Sequence, residues 1–186
     1  MSQPTAWFIG AFAAANAFAM GMMLTHQIAY LRDIGFSPIT AASTLSFMSV
    51  FSLIGSLTFG ALAMRIQVRY LASAAFVSQL IGLAILLTTK ELGLIYVFAA
   101  LQGLSHGSLI TALPTFVGVY YPRNSYARVL GVLFTFQVLS NALSAKVAGA
   151  IFDAARTYRP AFITAAILSL CGLVCAFMAR RPENLT

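Results

Sequence analysis

Long apolar blocks separated by short polar turns dominate this chain of 186 residues. The blocks do not alternate apolar and polar positions as β-barrel strands do, so each is interpreted as a helix. A helix needs about 20 predominantly apolar residues to cross a bilayer, and the blocks have about that length. The pattern therefore predicts an all-α membrane protein. Its single domain, 1–186, would contain six transmembrane helices at about 7–30, 39–64, 70–89, 94–120, 129–152 and 161–179.

Polar and helix-breaking residues set the boundaries between the blocks. Arg32, Asp33, Gly35 and Pro38 separate the first block from the second, because glycine and proline interrupt helices. Pro114 lies within the fourth block, where its missing N–H predicts a bend or an early end of the helix.

Composition excludes the class of soluble globular domains. Apolar residues make up 60% of the chain and charged residues only 8%, whereas about a quarter of a soluble domain is charged. The net charge of +7 would suggest nucleic-acid binding in a soluble protein. Here the basic residues lie in short turns between apolar blocks, which is typical of a membrane protein. We therefore expect a lipid bilayer around the chain and no nucleic-acid partner.

The distribution of basic residues predicts the orientation in the membrane. One side carries six basic residues and one acid, namely Arg65, Arg69, Arg123, Arg128, Arg180, Arg181 and Glu183. The other side carries four basic residues and three acids, namely Arg32, Asp33, Lys90, Glu91, Asp153, Arg156 and Arg159. Because lysine and arginine favour the cytoplasmic side, we expect both termini in the cytoplasm. The expected location is a bacterial inner membrane.

Three ionisable side chains fall inside the predicted spans: His26, His106 and Lys146. Such groups are costly at bilayer depth and often functional. No acid lies inside a span, so charge selection here would favour an anionic substrate. Lys146 lies about 9 Å beyond the middle of the fifth span. It is either a cation that meets a carboxylate in a central cavity or a lysine that snorkels to the outer interface, where Asp153 follows.

Neutral polar residues extend this candidate substrate site. Gln137 and Asn141 lie on the face of the fifth span opposite Lys146. Only one of these two faces can point at a cavity, and the other would bond to neighbouring helices. The full set of predicted substrate-binding residues is Lys146, His106, Gln102, Gln137, Asn141, His26 and Gln27.

The fourth span also carries a motif for helix packing. Gly103 and Gly107 form a GxxxG pair, on a face adjacent to that of Gln102 and His106. Small residues at this spacing let a second membrane helix approach closely.

Several stretches resemble the C-terminal half of a major facilitator transporter. Gly60, Arg65 and Arg69 match the family's cytoplasmic loop signature, although Met64 replaces its acid and Gln67 its second glycine. The run 26–35 is similar to the end of the seventh helix in the monocarboxylate and oxalate/formate branch. The run 148–153, followed by Tyr158 and Phe162, is similar to the junction of helices eleven and twelve.

The resemblance covers essentially the whole chain and implies one half of a transporter. That half would consist of two inverted three-helix repeats, and a second six-helix half would complete the central site. The implied function is alternating-access transport of a small organic anion such as a monocarboxylate. Oxalate/formate-type carriers place a lysine in the helix that corresponds to the one with Lys146, which favours its functional role.

Two other protein classes share features with this sequence. A rhomboid-like protease is suggested by Ser105 beside His106, but its serine needs a histidine on another helix. The sixth span has no histidine, and His26 lies near the outer end of the first. A non-transporting membrane scaffold would also suit the small residues. No metal-ligand spacing, phosphate loop or catalytic carboxylate pair is present, so we expect no enzyme, no metal and no cofactor.

Overall fold

The computed structural model describes residues 4–180, and within them the chain forms six helices. They are α1 (Pro4–Asp33), α2 (Pro38–Leu62), α3 (Val68–Thr88), α4 (Leu92–Tyr120), α5 (Tyr126–Ala155) and α6 (Arg159–Met178). Each is long and apolar enough to cross a membrane, and the chain is an integral membrane protein. No end of a predicted span lies more than three residues from the matching helix end.

Local sequence explains where several helices begin. The Ser37 hydroxyl accepts a hydrogen bond of 3.1 Å from the Thr40 N–H and caps α2, with Pro38 in its first turn. Gly35 precedes this cap with a φ of +109°, which glycine adopts without steric strain. Pro160 lies in the first turn of α6, where its missing N–H costs no helical hydrogen bond.

Pro114 does not end its helix early. α4 continues through this residue to Tyr120, so that alternative is wrong. Proline removes one backbone hydrogen bond, but membrane helices tolerate this where neighbouring elements hold the helix in place. Leu113, Phe116 and Val117 are buried on either side of Pro114 and anchor α4 in the bundle.

The six helices form two triplets that follow each other along the chain, α1–α3 and α4–α6. α1 packs against α5 and α6, α4 packs against α2 and α3, and α3 meets α6. Exchanging α1 with α4, α2 with α5 and α3 with α6 leaves this set of neighbouring helices unchanged. Since each triplet has an odd number of spans, the second is inverted relative to the first. The predicted pair of inverted three-helix repeats is confirmed.

The GxxxG pair marks a close approach between two helices. A Cβ atom on Gly103 would collide with the Met48 carbonyl oxygen of α2, and one on Gly107 with that of Ser52. Gly55 of α2 lies in the same way against the Leu104 carbonyl oxygen. The prediction that another helix approaches this pair is therefore confirmed, and the partner is α2.

Two apolar clusters fill the two ends of the bundle, with a polar layer between them. At the end near the chain termini, the Phe12 ring meets the rings of Phe76 and Phe116 edge to face, at 5.7 and 5.4 Å. At the opposite end, Tyr30 meets Phe162 at 4.9 Å. Four of the buried polar side chains lie at the intervening depth, near the helix midpoints: Asn16, Gln79, Gln102 and Ser105.

Candidate functional site

Three of the predicted site residues meet in one cleft between α1, α4 and α5. His106 extends from α4, and Gln137 and Asn141 extend from α5, while α1 contributes Asn16 and Met20. The cleft has a volume of about 440 Å³. His106 and Asn141 lie at the midpoints of their helices, so the cleft is at the depth of the bilayer centre.

Hydrogen bonding leaves polar atoms available in this cleft. The Asn141 side-chain amide donates to the Ala17 carbonyl oxygen at 3.3 Å and ties α5 to α1. Within residues 4–180, the buried Nδ1 of His106 and Oδ1 of Asn16 have no hydrogen-bond partner. Buried polar atoms are usually paired, so these two atoms are candidates for contact with a bound solute.

The remaining wall of the cleft is apolar. It is formed by Ala17, Leu24, Ile110, Phe134, Val138 and Ala142. None of the residues that line the cleft is an Asp, Glu, Lys or Arg. A mainly apolar wall with a few convergent polar groups is typical of small-molecule sites.

Gln27 and Gln102 lie elsewhere and contact neighbouring helices. The Gln27 amide donates to the Thr44 hydroxyl at 3.1 Å, which joins α1 to α2, and both side chains are fully buried. The Gln102 amide points at the Met23 sulfur of α1 and is also fully buried. The structure therefore does not bring these two glutamines into the cleft with His106.

His26 lies at the end of the bundle away from the chain termini. Its ring stacks on that of Tyr158 at 4.9 Å, and Tyr158 stacks in turn on Phe152 at 4.3 Å. This places His26 against the connection between α5 and α6, separate from the cleft.

Lys146 lies outside the cleft, on the exposed surface of α5. The face of α5 that lines the cleft is the one with Gln137 and Asn141, while Ser144 farther along α5 packs against Gly21 of α1. The two faces distinguished in the sequence thus separate in space.

The three residues of the loop motif occupy one end of the bundle. Gly60 belongs to α2 and has open space around it, and Arg65 is exposed in the turn that follows. Arg69 begins α3 and donates hydrogen bonds to the Gln67 side-chain oxygen at 2.9 Å and the Tyr70 hydroxyl at 2.7 Å. Arg181 and Glu183, which entered the orientation argument, lie outside the described residues.

Sequence reasoning omitted Asn16 from the candidate site, although this side chain lines the cleft. An amide in the middle of an apolar span is itself a signal of function or of interhelical bonding. The Ser105 hydroxyl, by contrast, donates to the Gln79 side-chain oxygen at 3.3 Å. Across residues 4–180 there is no group of three or more His, Cys, Asp or Glu side chains that could hold a metal ion.

Comparison with known proteins identifies the family. Residues 7–186 match the model of the Major Facilitator Superfamily. The chain is 24% identical over 168 residues to monocarboxylate transporter 12 of Rattus norvegicus, covering 87% of this chain and 33% of the relative. It is 25% identical to the Homo sapiens protein of that name, of which it covers 31%. The chain thus spans about a third of the length of these relatives. They are named as transporters, and the chain is not an enzyme but a member of the Major Facilitator Superfamily.

Proposed function

We propose that this chain forms half of a carrier that moves a small organic anion, a monocarboxylate, across the membrane by alternating access. The observation that carries the proposal is the cleft in which His106, Gln137, Asn141 and Asn16 converge. The relatives named as monocarboxylate transporters support the substrate class.

The depth of the cleft fits a transport site. Carriers built from repeats bind their substrates near the bilayer midplane, where the repeats meet. Here the cleft lies between α1 of the first triplet and α4 and α5 of the second. His106 and Asn141 lie at their helix midpoints, so a solute between them is equally far from both surfaces.

The chemistry of the cleft suits a carboxylate. The amides of Gln137 and Asn141 and the imidazole of His106 can donate hydrogen bonds, and no acid in the lining repels an anion. Hydrogen bonds to a charged carboxylate are about twice as strong as those between neutral groups, and a neutral His106 still donates one from its ring N–H.

A second six-helix half would complete the site. Asn141 and Lys146 are exposed on α5 at bilayer depth, beside large apolar side chains such as Val138. Polar groups facing lipid carry a high cost, so a protein surface is expected to cover them. α2, which the repeat relates to α5, is comparably exposed at Leu53 and Leu57. We propose that the second half covers α2 and α5, including the exposed Lys146.

The orientation belongs to the same proposal. The charge distribution supports both termini in the cytoplasm. In the proposed carrier, the cleft between α1, α4 and α5 opens alternately to either side of the membrane. The bacterial inner membrane remains our prediction for the location.

Uptake into proteoliposomes tests this function. A radiolabelled monocarboxylate such as lactate is offered to vesicles that contain the chain, alone and together with its second half. We expect flux that falls at least about tenfold in His106→Ala or Asn141→Ala, since losing a charge-assisted hydrogen bond costs about 1.5–3 kcal/mol.

Asn124→Ala is the matched control, because it removes an amide from an exposed loop outside the cleft. Flux that persists in both cleft variants contradicts the proposed site. No flux with or without the second half supports a non-transporting scaffold instead. Flux of neutral solutes but not of anions would reject the substrate class and leave the carrier.

A further inference from the structure

We propose that a second cleft, at the membrane surface between α3 and α6, binds the phosphate of an anionic phospholipid. This cleft has a volume of about 390 Å³ and is lined by Gln67, Arg69, Tyr70, Phe177 and Arg180. It shares no lining residue with the candidate transport site. The inference goes beyond the proposed function and does not depend on it.

Two arginines supply the positive charge of this cleft. Arg69 comes from the first turn of α3 and Arg180 follows the end of α6, and no acid lines the space between them. A guanidinium carries five N–H donors in a planar fork that matches phosphate oxygens. Arg69 uses two of its donors within the chain, so three remain for a ligand.

The surrounding contacts hold the side chain of Arg69 and the backbone of Arg180 in place. The Arg69 guanidinium lies over the Tyr70 ring, with Cζ at 4.5 Å from the ring centroid, and its two hydrogen bonds fix it further. The Arg180 carbonyl oxygen accepts a hydrogen bond of 3.0 Å from the Thr5 hydroxyl of α1. The preceding carbonyl, that of Ala179, accepts one of 2.9 Å from the Tyr120 hydroxyl. The position of Arg180 beside α3 is therefore set by two neighbouring helices.

The surface below the cleft fits acyl chains. The Tyr70 ring meets the Phe177 ring edge to face at 6.1 Å, and both are about half exposed. At helical spacing from Tyr70, α3 exposes Val77 and Ile81. At matching spacing from Phe177, α6 exposes Val174, Leu170 and Ile167.

An apolar strip that starts at a basic cleft is the surface that a phospholipid requires, whereas a soluble phosphate would use the cleft alone. Basic pockets between membrane helices bind anionic headgroups, and each arginine near the surface adds to the attraction. The occupant is therefore assigned as an anionic lipid rather than free phosphate.

Native mass spectrometry of the 186-residue chain in a nonionic detergent tests the assignment. The measured quantity is the binding of phosphatidylglycerol relative to phosphatidylcholine, with inorganic phosphate as a competitor. We expect Arg69→Gln with Arg180→Gln to lower this preference by roughly tenfold or more, as expected for the loss of two surface charges. Inorganic phosphate at millimolar concentration should displace no lipid.

The matched control is Arg123→Gln with Arg128→Gln, which removes the same charge from exposed positions on the same membrane face. It should keep the preference. Circular dichroism checks that each variant is folded. If the double variant does not fold, Arg180→Gln alone replaces it in the binding measurement, because only the backbone of Arg180 is hydrogen-bonded to α1. An unchanged preference in the cleft variants, an equal loss in the control, or displacement by inorganic phosphate would each overturn the assignment.

Discussion

Amide side chains in this protein form hydrogen bonds between helices, and some of them are also candidates for contact with a substrate. The Gln27 amide and the Thr44 hydroxyl form such a bond at full burial. We expect Gln27→Leu and Thr44→Val to show an interaction free energy of about 0.6–1.7 kcal/mol in a double-mutant cycle, the range for hydrogen bonds between membrane helices. The measurement is the free energy of unfolding in mixed detergent micelles.

The control for this cycle is Thr88→Val. The Thr88 hydroxyl bonds to the Ala84 carbonyl of its own helix, so its effect should add to that of Gln27→Leu without an interaction term. An interaction near zero for Gln27 with Thr44 would mean that this bond does not join α1 to α2 and would return Gln27 to the list of candidate ligands.

The difference between Gln27 and Asn141 also shows how far the sequence predicts the site. Both are amides within apolar spans, and the sequence marks both as candidates. Only the rotation of each helix against its neighbours decides that Asn141 lines a cleft and Gln27 faces α2. Interhelical rotation depends on the packing of many side chains together, and a local pattern does not encode it. For the same reason Asn16 was omitted, and the two faces of α5 remained undecided.

At the scale of the element, the crossing of α2 and α4 depends on glycine. Gly107 lies against the Ser52 carbonyl oxygen, and a backbone atom cannot move aside as a flexible side chain does. We expect Gly107→Ala to destabilise the chain by about 1–3 kcal/mol, the cost of overpacking. Unfolding followed by circular dichroism in mixed micelles measures this.

Gly149→Ala is the comparison, because a Cβ on this helical glycine of α5 meets nothing within 4 Å. It should leave stability unchanged or raise it by up to about 1 kcal/mol, since alanine favours the helix over glycine. Equal effects of the two substitutions would show that the close approach of α2 to α4 contributes nothing to stability.

The helices themselves follow closely from the sequence. A long apolar block whose positions do not alternate between apolar and polar is stable in lipid as a helix, because a helix satisfies its own backbone hydrogen bonds. The ends follow from residues such as Ser37, Pro38 and Gly35. Pro114 is the exception, since its effect depends on whether neighbours hold both sides of the helix, as Leu113 and Phe116 do here.

At the scale of the whole molecule, the repeat explains where the polar groups gather. The apolar clusters close both ends of the bundle, and Asn16, Asn141 and His106 lie between them, near the midpoints of their helices. The same symmetry leaves α2 and α5 as the most exposed helices. A half with two exposed helices related by symmetry presents matching surfaces to a second half, which is the arrangement that the proposed carrier needs.

This arrangement also fixes which loops share a membrane face. The Thr5 hydroxyl bonds to the Arg180 carbonyl, so both ends of the described chain lie on one face. With both termini in the cytoplasm, Arg123 between α4 and α5 is inside and Lys90 between α3 and α4 is outside. In a background with Cys171→Ser and Cys175→Ser, a membrane-impermeant maleimide should label Lys90→Cys in intact cells. It should label Arg123→Cys only after the membrane is permeabilised.

If Arg123→Cys were labelled in intact cells and Lys90→Cys only after permeabilisation, the cytoplasmic placement of the termini would be contradicted. The positive-inside rule is a statistical tendency. That labelling result would leave the six spans and both clefts unchanged, but it would move the cleft of Arg69 and Arg180 to the outer leaflet. The lipid site would then take its anionic lipid from the outer leaflet, and the preference measured in detergent would be unchanged.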